Sequence, residues 1–178
     1  MKLLEKMIST QPIFDGRIIR VHVDEVSLPN GRTAQREVVN HPGGVGILAI
    51  DDDKNVLTVT QYRYVYRQTL LEIPAGKLES GEDPREAAKR ELREETGAAA
   101  SEWRSLGEIY PTPGFCDEII RLYLARGLSY GEMAPDEDEF LDVRRLPFSV
   151  MVDMVLSGEI TDGKTCVAIL KAKLLLGL

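Results

Sequence analysis

Three glutamates at the end of one predicted helix could hold a metal ion. Residues 82–95 read EDPREAAKRELREE, and ten of these fourteen residues are charged. Glu91, Glu94 and Glu95 fall in the last turn, where the helix dipole makes each negative charge unfavourable by up to about 1 kcal/mol. Glu91 and Glu95 are four residues apart, so they share a face and repel each other. A bound divalent cation would offset this repulsion, and carboxylate oxygens favour hard ions such as Mg²⁺ or Mn²⁺.

The ends of this helix are well marked in the sequence. Asp83 has the side chain of an N-cap residue, and Pro84 suits the first helical position. Gly97 suits the left-handed residue that commonly ends a helix. We therefore predict a helix over residues 84–96. A solvated, charged helix face is the alternative to a metal site, because a charge run alone is typical of exposed helices.

A wider pattern includes this helix. Residues 76–98 read G-x5-E-x7-R-E-L-x-E-E-x-G-A, which resembles the Nudix box of the Nudix hydrolase family at every fixed position. The resemblance implies a fold of the α/β (α+β) class, a Nudix-type α/β/α sandwich with a mixed β-sheet. It also implies a loop–helix–loop that holds divalent metal against a diphosphate. In that arrangement Glu82 would pair with Arg90 and hold the loop.

The family resemblance implies roles for the acids of the box. Glu91 and Glu95 would be the principal metal ligands, and Ala75 would ligate through its backbone carbonyl. Glu94 would assist catalysis from the same cluster, through a water or a further ion. Gly76 would let the backbone turn sharply enough for a carbonyl to face the ion. The implied cofactor is Mg²⁺, with Mn²⁺ as the alternative.

Two segments before the helix resemble the ADP-ribose pyrophosphatases, a subfamily of the Nudix hydrolases. They read QYRY from Gln61 and LLEIPAG from Leu70. The resemblance places Arg63 and Glu72 near the substrate. Arg63 would clamp phosphate, for which a guanidinium is suited, and Glu72 would accept a hydrogen bond from the adenine amino group.

A loop after the helix also resembles this subfamily. YPTPGFCDE, at residues 110–118, is similar to its downstream proline signature, with Pro113 fifteen residues after Ala98. The resemblance implies that Pro113 and Gly114 contact the substrate. An ordinary Pro-Gly turn between two strands is the alternative interpretation.

An acidic stretch supplies further candidate residues. Residues 136–139 read DEDE, and like charges this close repel one another. The stretch resembles the catalytic loop of ADP-ribose pyrophosphatases, in which Glu137 would be the general base and Glu139 an additional metal contact. The register of that match allows an exchange by one or two positions. A simply solvated loop is the alternative.

The first 40 residues predict a β-ribbon. Residues 17–28 alternate apolar and polar side chains, which indicates a half-buried strand. Residues 29–32 read PNGR, a strong turn signal, and a second strand follows near 33–39. An isolated hairpin is marginal in water, so this ribbon should lean on the main domain or on a partner chain.

The ribbon resembles the extension by which ADP-ribose pyrophosphatases form homodimers. In them the extension helps to build the partner's adenine pocket, so Arg36 would stack on the base and Glu37 would bond to it. An exposed pair of charges on a strand is the alternative. The predicted domains are a dimerisation ribbon over residues 1–40 and a Nudix hydrolase domain over 41–178.

The second predicted domain mixes strands and helices without regular βαβ alternation, which suggests a mixed sheet with helices on its faces. No internal repeat or low-complexity segment is visible. Predicted strands cover residues 44–50, 56–62, 70–73, 104–110, 118–126 and 140–144, and two helices follow, one from about Pro147 and one over 162–176.

Composition bounds the class of protein. The chain has 178 residues, 43% of them hydrophobic, and a formal charge of −7, which suits one globular domain with a small appendage. The acidic balance argues against general nucleic-acid binding. No apolar run approaches the roughly 20 residues of a membrane helix, and the start does not resemble a signal peptide. Two cysteines and two histidines predict neither a disulfide framework nor a histidine-rich zinc site, so a cytoplasmic location is the expectation.

The resemblance to ADP-ribose pyrophosphatases implies a Mg²⁺-dependent hydrolase that splits the diphosphate of ADP-ribose into AMP and ribose 5-phosphate. Arg63 would stabilise charge in the transition state, and Glu137 would deprotonate the attacking water. Another nucleoside-diphosphate sugar, such as GDP-mannose, is the alternative substrate. A non-catalytic Nudix-fold nucleotide-binding regulator is the alternative of another class, although such modules commonly lose box carboxylates that are intact here.

Overall fold

The computed structural model describes residues 3–134 and 140–177. The chain forms two compact units, one of Met1–Gly43 with Tyr110–Ile119 and the other of Gly44–Ile109 with Ile120–Leu178. The sequence placed residues 110–119 in the second domain, whereas in the structure they group with the first unit. In the described part of the chain, no helix is both long and apolar enough to span a bilayer.

The first unit contains an antiparallel sheet in the order β1-β2-β3. Its strands β1, β2 and β3 are Lys6–Asp15, Arg20–Ser27 and Thr33–Asn40. The sequence predicted β2 and β3 but missed β1, which pairs with β2 along its length. The predicted turn joins β2 to β3, with a hydrogen bond of 2.7 Å from Leu28 N to the Arg32 carbonyl.

The loop of residues 110–119 is tied to the end of β3. Val39 N donates to the Phe115 carbonyl at 2.8 Å, and Asp117 N donates to the Val39 carbonyl at 3.1 Å. The Asp117 carboxylate also accepts from Asn40 Nδ2 at 2.8 Å. These bonds hold the loop that carries the Pro-Gly pair within the first unit.

The second unit contains two sheets and three helices among its described residues. Its elements are β4 Gly44–Ala49, β5 Asn55–Arg63, β6 Gln68–Glu72, β7 Ala75–Lys77, α1 Pro84–Thr96, β8 Ala98–Ile109, β9 Ile120–Tyr130, β10 Leu141–Pro147, α2 Phe148–Ser157 and α3 Gly163–Leu176. One sheet has the order β7-β4-β9-β8 and the other the order β10-β5-β6. Strands β4 and β9 are parallel and the other neighbours are antiparallel, so the predicted mixed sheet is confirmed.

Both faces of β4 are buried, as its continuous apolar run suggests. Ile47 and Leu48 are fully buried but point to opposite faces, because side chains alternate along a strand. Ile47 packs in a cluster with Ala88 and Leu92 of α1. Leu48 packs in another cluster with residues of α2 and α3, including Ile169. Helices therefore cover both faces of the sheet, which is the predicted α/β/α sandwich.

Helix α1 has the predicted bounds and caps. The Asp83 side chain accepts from the backbone N–H groups of Arg85 and Glu86 at 2.9 and 3.2 Å. Gly97 has a φ of 67°, and its N–H donates to the Arg93 carbonyl at 2.8 Å. These caps satisfy backbone groups at both helix ends and determine where the acidic last turn lies.

Candidate active site

Two acids of α1 lie buried beside β7. Glu91 is 7% exposed and Glu95 is 2% exposed. Glu95 Oε2 accepts a hydrogen bond from Ala75 N at 3.0 Å. The Glu91 carboxylate lies against the backbone of Gly76, where an added Cβ would come within 1.9 Å of the carboxylate carbon. A side chain at this position would force the end of the Glu91 side chain to move, so the first fixed position of the box has a packing reason.

Arg90 donates hydrogen bonds to three acids, one that precedes α1 and two in the C-terminal half of the helix. Its Nε and Nη2 donate to the two oxygens of Glu82 at 2.9 and 3.0 Å, which confirms the pairing predicted from sequence. Its Nη1 donates to Glu91 at 2.8 Å and to Glu94 at 2.9 Å. The pKa of Arg90 is raised, chiefly by the hydrogen bonds to Glu82 and against the effect of burial. The guanidinium therefore offsets part of the repulsion among these carboxylates.

The donor set of this cluster suits a hard divalent ion. Glu91 and Glu95 offer carboxylate oxygens from one buried helix face, and Mg²⁺ and Mn²⁺ take this kind of ligand. Within residues 3–134 and 140–177, no three His, Cys, Asp or Glu side chains are arranged to hold one ion. The predicted base Glu137 and the predicted metal contact Glu139 lie outside the described residues.

Arg63 and Glu72 form a two-pronged ion pair at the ends of β5 and β6. Arg63 Nε and Nη2 each donate to one Glu72 oxygen at 2.6 Å. The Glu72 side chain is 1% exposed, whereas the Arg63 side chain is 40% exposed. The pair thus presents Arg63 outward. The burial of Glu72 leaves almost no carboxylate surface for the predicted adenine contact.

Electrostatics place this ion pair near the acids of α1. The pKa of Arg63 is raised, chiefly by its hydrogen bonds to Glu72 and against the effect of burial, with smaller contributions from Asp162 and Glu95. The Glu95 contribution means that the guanidinium lies within electrostatic reach of the α1 cluster. Burial alone would raise the pKa of Glu72, but Arg63 and Lys164 outweigh it and hold that pKa below its usual value.

Lys164 belongs to this network, and sequence reasoning missed it. Its Nζ donates to Glu72 Oε2 and lies 3.0 Å from Asp162 Oδ1, and its side chain is 9% exposed. Lys164 is the second residue of α3, where the helix dipole disfavours a cation. That unfavourable position was the signal in the sequence that this lysine needs an acidic partner.

The remaining predicted substrate contacts lie in the first unit. Arg36 and Glu37 are on β3, and Arg36 donates from Nε and Nη2 to the Glu5 carboxylate at 2.9 and 2.7 Å. These hydrogen bonds lower the pKa of Glu5. Pro113 and Gly114 are exposed in the loop of the first unit. The roles of these residues toward a nucleotide stay predictions.

Comparison with known protein families identifies the chain. A NUDIX domain matches residues 40–164, and a nucleoside diphosphate sugar hydrolase N-terminal domain matches residues 5–39. The chain belongs to the NUDIX domain family. It is a Nudix hydrolase, and enzymes of this family generally depend on a divalent metal.

This Nudix hydrolase is similar to characterised proteins over nearly its whole length. A methanol dehydrogenase activator from Bacillus methanolicus is 47% identical over 167 residues, which cover 93% of this chain and 90% of that protein. An ADP-ribose pyrophosphatase from Bacillus subtilis (strain 168) is 44% identical over 94% of this chain and 91% of that protein. The crystal structure of an ADP compounds hydrolase has a TM-score of 0.86, covering 97% of this chain and 94% of that chain at 22% identity. This last similarity shows the shared fold.

Proposed function

We propose that this Nudix hydrolase splits the diphosphate of ADP-ribose into AMP and ribose 5-phosphate. The observation that carries the proposal is the outward-facing guanidinium of Arg63 within electrostatic reach of Glu95, a buried acid of the box that lies on α1 together with buried Glu91. Such a site can take a diphosphate between a hard cation and a forked phosphate-binding group. The similarity to an ADP-ribose pyrophosphatase over nearly the whole chain supports ADP-ribose as the substrate.

The cofactor that we propose is Mg²⁺, with Mn²⁺ as the alternative. Glu91 and Glu95 would hold it through their carboxylates, and Ala75 through its backbone carbonyl. Glu139 would add a further contact. When bound, the ion supplies charge neutralisation for the diphosphate and polarises the attacked phosphorus. Gly76 serves this arrangement by admitting the Glu91 carboxylate to the loop.

Arg63 would hold the diphosphate and stabilise its charge in the transition state. Its bonds to Glu72 use two of the five N–H donors of a guanidinium. The Arg63 side chain as a whole is 40% exposed, so a ligand can approach it. We assign to Glu72 the orientation of Arg63 rather than an adenine contact, because its buried carboxylate faces two protein cations.

Proton transfer would fall to the acidic stretch. Glu137 would take the proton of the attacking water as the general base, and Glu94 would assist from α1. Glu137→Gln should then lower kcat by about two to four orders of magnitude with little change in KM. Glu139→Gln should instead raise the Mg²⁺ concentration needed for half activity. If, at saturating metal, the Glu139→Gln protein is inactive and the Glu137→Gln protein is active, the general base is Glu139 and not Glu137.

We further propose a homodimer formed through the first unit. Strand β1 lies at the edge of its sheet and exposes apolar side chains, including Met7, Ile8 and Ile13. An exposed apolar edge strand is a template for pairing with another chain. The first unit of a second copy would cover this strand, and Arg36 and Glu37 would contribute to the adenine pocket of that copy.

A hydrolysis panel tests the proposed activity. The protein is assayed with ADP-ribose, GDP-mannose, NADH and dinucleoside polyphosphates, each with Mg²⁺, with Mn²⁺ and with a chelator. We expect the highest kcat/KM for ADP-ribose, with AMP and ribose 5-phosphate as products and no turnover in the chelator. A higher kcat/KM for GDP-mannose than for ADP-ribose would identify GDP-mannose as the preferred substrate. Nucleotide binding without turnover of any compound would indicate a regulator instead.

A further inference from the structure

A series of four charges runs from the surface of the second unit into its interior. Arg63 pairs with Glu72, which also pairs with Lys164. Lys164 in turn pairs with Asp162 at 3.0 Å. The exposed fraction of the side chain is 40% at Arg63 but only 1% at Glu72 and 9% at Lys164. The signs alternate, so each buried charge has an opposite neighbour, as a buried charge requires.

Helix α3 is held to β6 by bonds that involve no lysine. Asp162 is the N-cap of α3 and accepts from Thr165 N at 3.0 Å. Thr165 is fully buried, and its Oγ1 accepts from Ile73 N at 2.9 Å. Ile73 directly follows β6, so this bond joins the helix start to the end of the strand. Docking of α3 therefore does not by itself account for a buried lysine at position 164.

We infer that Lys164 is a positioning residue that fixes Arg63 through Glu72 for binding of a diphosphate. The inference rests on the proposed function, in which Arg63 contacts the diphosphate. Glu72 holds the guanidinium in one plane through its two oxygens. Lys164 holds the same carboxylate from the interior, so neither member of the ion pair is free to change rotamer alone. The Lys164 side chain is 9% exposed, against 40% for Arg63, so Arg63 is the cation of this network that a ligand meets first.

The positive charge of Lys164 also affects how strongly Arg63 attracts a diphosphate. Without the lysine, Glu72 and Asp162 would set two negative charges against the single positive charge of Arg63. The net negative charge behind the guanidinium would repel a diphosphate, and solvent screens such buried charges weakly. With Lys164 the four charges cancel, and the outermost of them, that of Arg63, is the one a ligand meets. Because Arg63 holds the diphosphate both before and during the reaction, loss of Lys164 should weaken substrate binding and transition-state binding alike, which raises KM and leaves kcat little changed.

Lys164→Gln tests the inference, because glutamine keeps N–H donors but removes the charge. We expect the KM for ADP-ribose to rise about tenfold while kcat changes by less than about threefold. The Kd of ADP, measured by calorimetry, should rise by a similar factor. Lys164→Arg keeps the charge and should restore both quantities. Lys173→Gln is the matched control in the last turn of the same helix and should leave both unchanged.

A double-mutant cycle separates positioning from a merely structural role. Once Arg63→Gln has removed the guanidinium, adding Lys164→Gln should raise the Kd of ADP by clearly less than it does in the wild type, because only the change in net charge then acts on the ligand. Equal losses in the wild-type and the Arg63→Gln backgrounds would overturn the inference. So would an unchanged Kd in a folded Lys164→Gln protein. If Lys164→Gln does not fold, the folded Lys164→Arg protein decides, since a large loss of ADP binding there overturns the inference and near-normal binding supports it.

Failure of this inference and failure of the proposed function give different results. A wild-type protein that does not hydrolyse ADP-ribose overturns the proposed function, while the ADP binding measurements still test Lys164. A wild-type protein that is active, beside a Lys164→Gln protein with unchanged KM and Kd, overturns the inference alone.

Discussion

Hydrogen bonds from Arg90 and Ala75 stabilise two buried acids near the C-terminal end of α1, where the helix dipole disfavours negative charge. Glu91 and Glu95 lie in the last two turns of α1 and are nearly inaccessible to solvent, which combines two unfavourable conditions for a carboxylate. Arg90 donates to Glu91, and the backbone N–H of Ala75 donates to Glu95. These donors reduce the repulsion, and a divalent cation would reduce it further.

Glu95→Gln should remove most activity while leaving the fold intact. Glutamine still accepts from the Ala75 N–H, but it lacks the charge proposed to bind metal and relieves repulsion at the helix end. The thermal midpoint without metal should hold or rise by up to about 3 °C. Activity assays and thermal unfolding measure both effects, with Glu86→Gln, an exposed acid of the same helix, as the control. Retained activity with a clear loss of metal-free stability would exclude Glu95 as a ligand.

Glu72→Gln should lower the free energy of unfolding near neutral pH. In acid, the wild type and the variant should differ less. Burial would raise the pKa of Glu72, but Arg63 and Lys164 hold it below the usual 4.5. Because the folded-state pKa is depressed, the stabilisation is fully present above the unfolded-state pKa and is lost as pH falls through the lower folded-state pKa. The wild type should therefore be more stable than the variant by about 1–3 kcal/mol at neutral pH.

Urea unfolding of both proteins between about pH 7 and pH 3 measures this difference, which should shrink in the acidic part of the range. A difference of the same size at both ends would mean that the Glu72 charge is not what stabilises the pair.

Strand β7 and helix α1 form the pair of elements on which the site depends. β7 pairs with β4 and brings the backbone of Ala75 and Gly76 against the last turn of α1. The caps at Asp83 and Gly97 determine the bounds of α1, so the positions of its acids follow from the helix ends. The geometry of the site thus depends on a close approach of backbone to side chain.

Gly76→Ala should disturb the close contact between the backbone of residue 76 and the Glu91 carboxylate. The new Cβ would lie 1.9 Å from the Glu91 carboxylate carbon, so the glutamate or the loop must move. We expect a loss of about 1–3 kcal/mol in stability and at least a roughly tenfold fall in kcat/KM. Gly163→Ala is the control, because a Cβ there meets no described atom within 4 Å. Wild-type kinetics in Gly76→Ala would show that activity does not need Glu91 at its observed position.

The first unit, considered as a whole, leaves apolar surface uncovered. Every residue of β1 is exposed, Met7 and Ile8 among them. A sheet of three strands needs a buried apolar face to be stable, and a second copy of the chain would supply the missing cover. The proposed dimer follows from this incomplete core.

Replacing both Met7 and Ile8 with glutamate should convert the proposed dimer into monomers. These side chains are 64% and 54% exposed, so the change should cost the isolated chain little, whereas charges buried in an interface are strongly unfavourable. Light scattering measures the mass of each species. Val65→Glu, an exposed apolar residue of the second unit, is the control and should leave the dimer intact. A stable, fully active wild-type monomer would reject the dimer.

Local signals were sufficient for the chemistry-bearing helix and for the fold class. The N-cap, the proline after it and the closing glycine predicted α1 at Pro84–Thr96, as observed, because helix ends depend on residues within one or two turns. Strands β4 to β6 and the two final helices followed from apolar runs and alternation for the same reason. The family follows from the same stretch of sequence, since the box lies on α1 and its flanking loops.

Two features, strand β1 and the ion pair of Glu72 with Lys164, depend on contacts between distant segments and could not be predicted from local sequence patterns. Strand β1 reads KMISTQPIFD, with no clean alternation and with Pro12, which argues against a strand; it forms because β2 offers it a partner. Glu72 and Lys164 are 92 residues apart, and nothing near either residue in the chain indicates the other. A carboxylate removed from water needs cations close by. The fold supplied Arg63 and Lys164, and it thereby buried the side chain that the sequence had assigned to adenine.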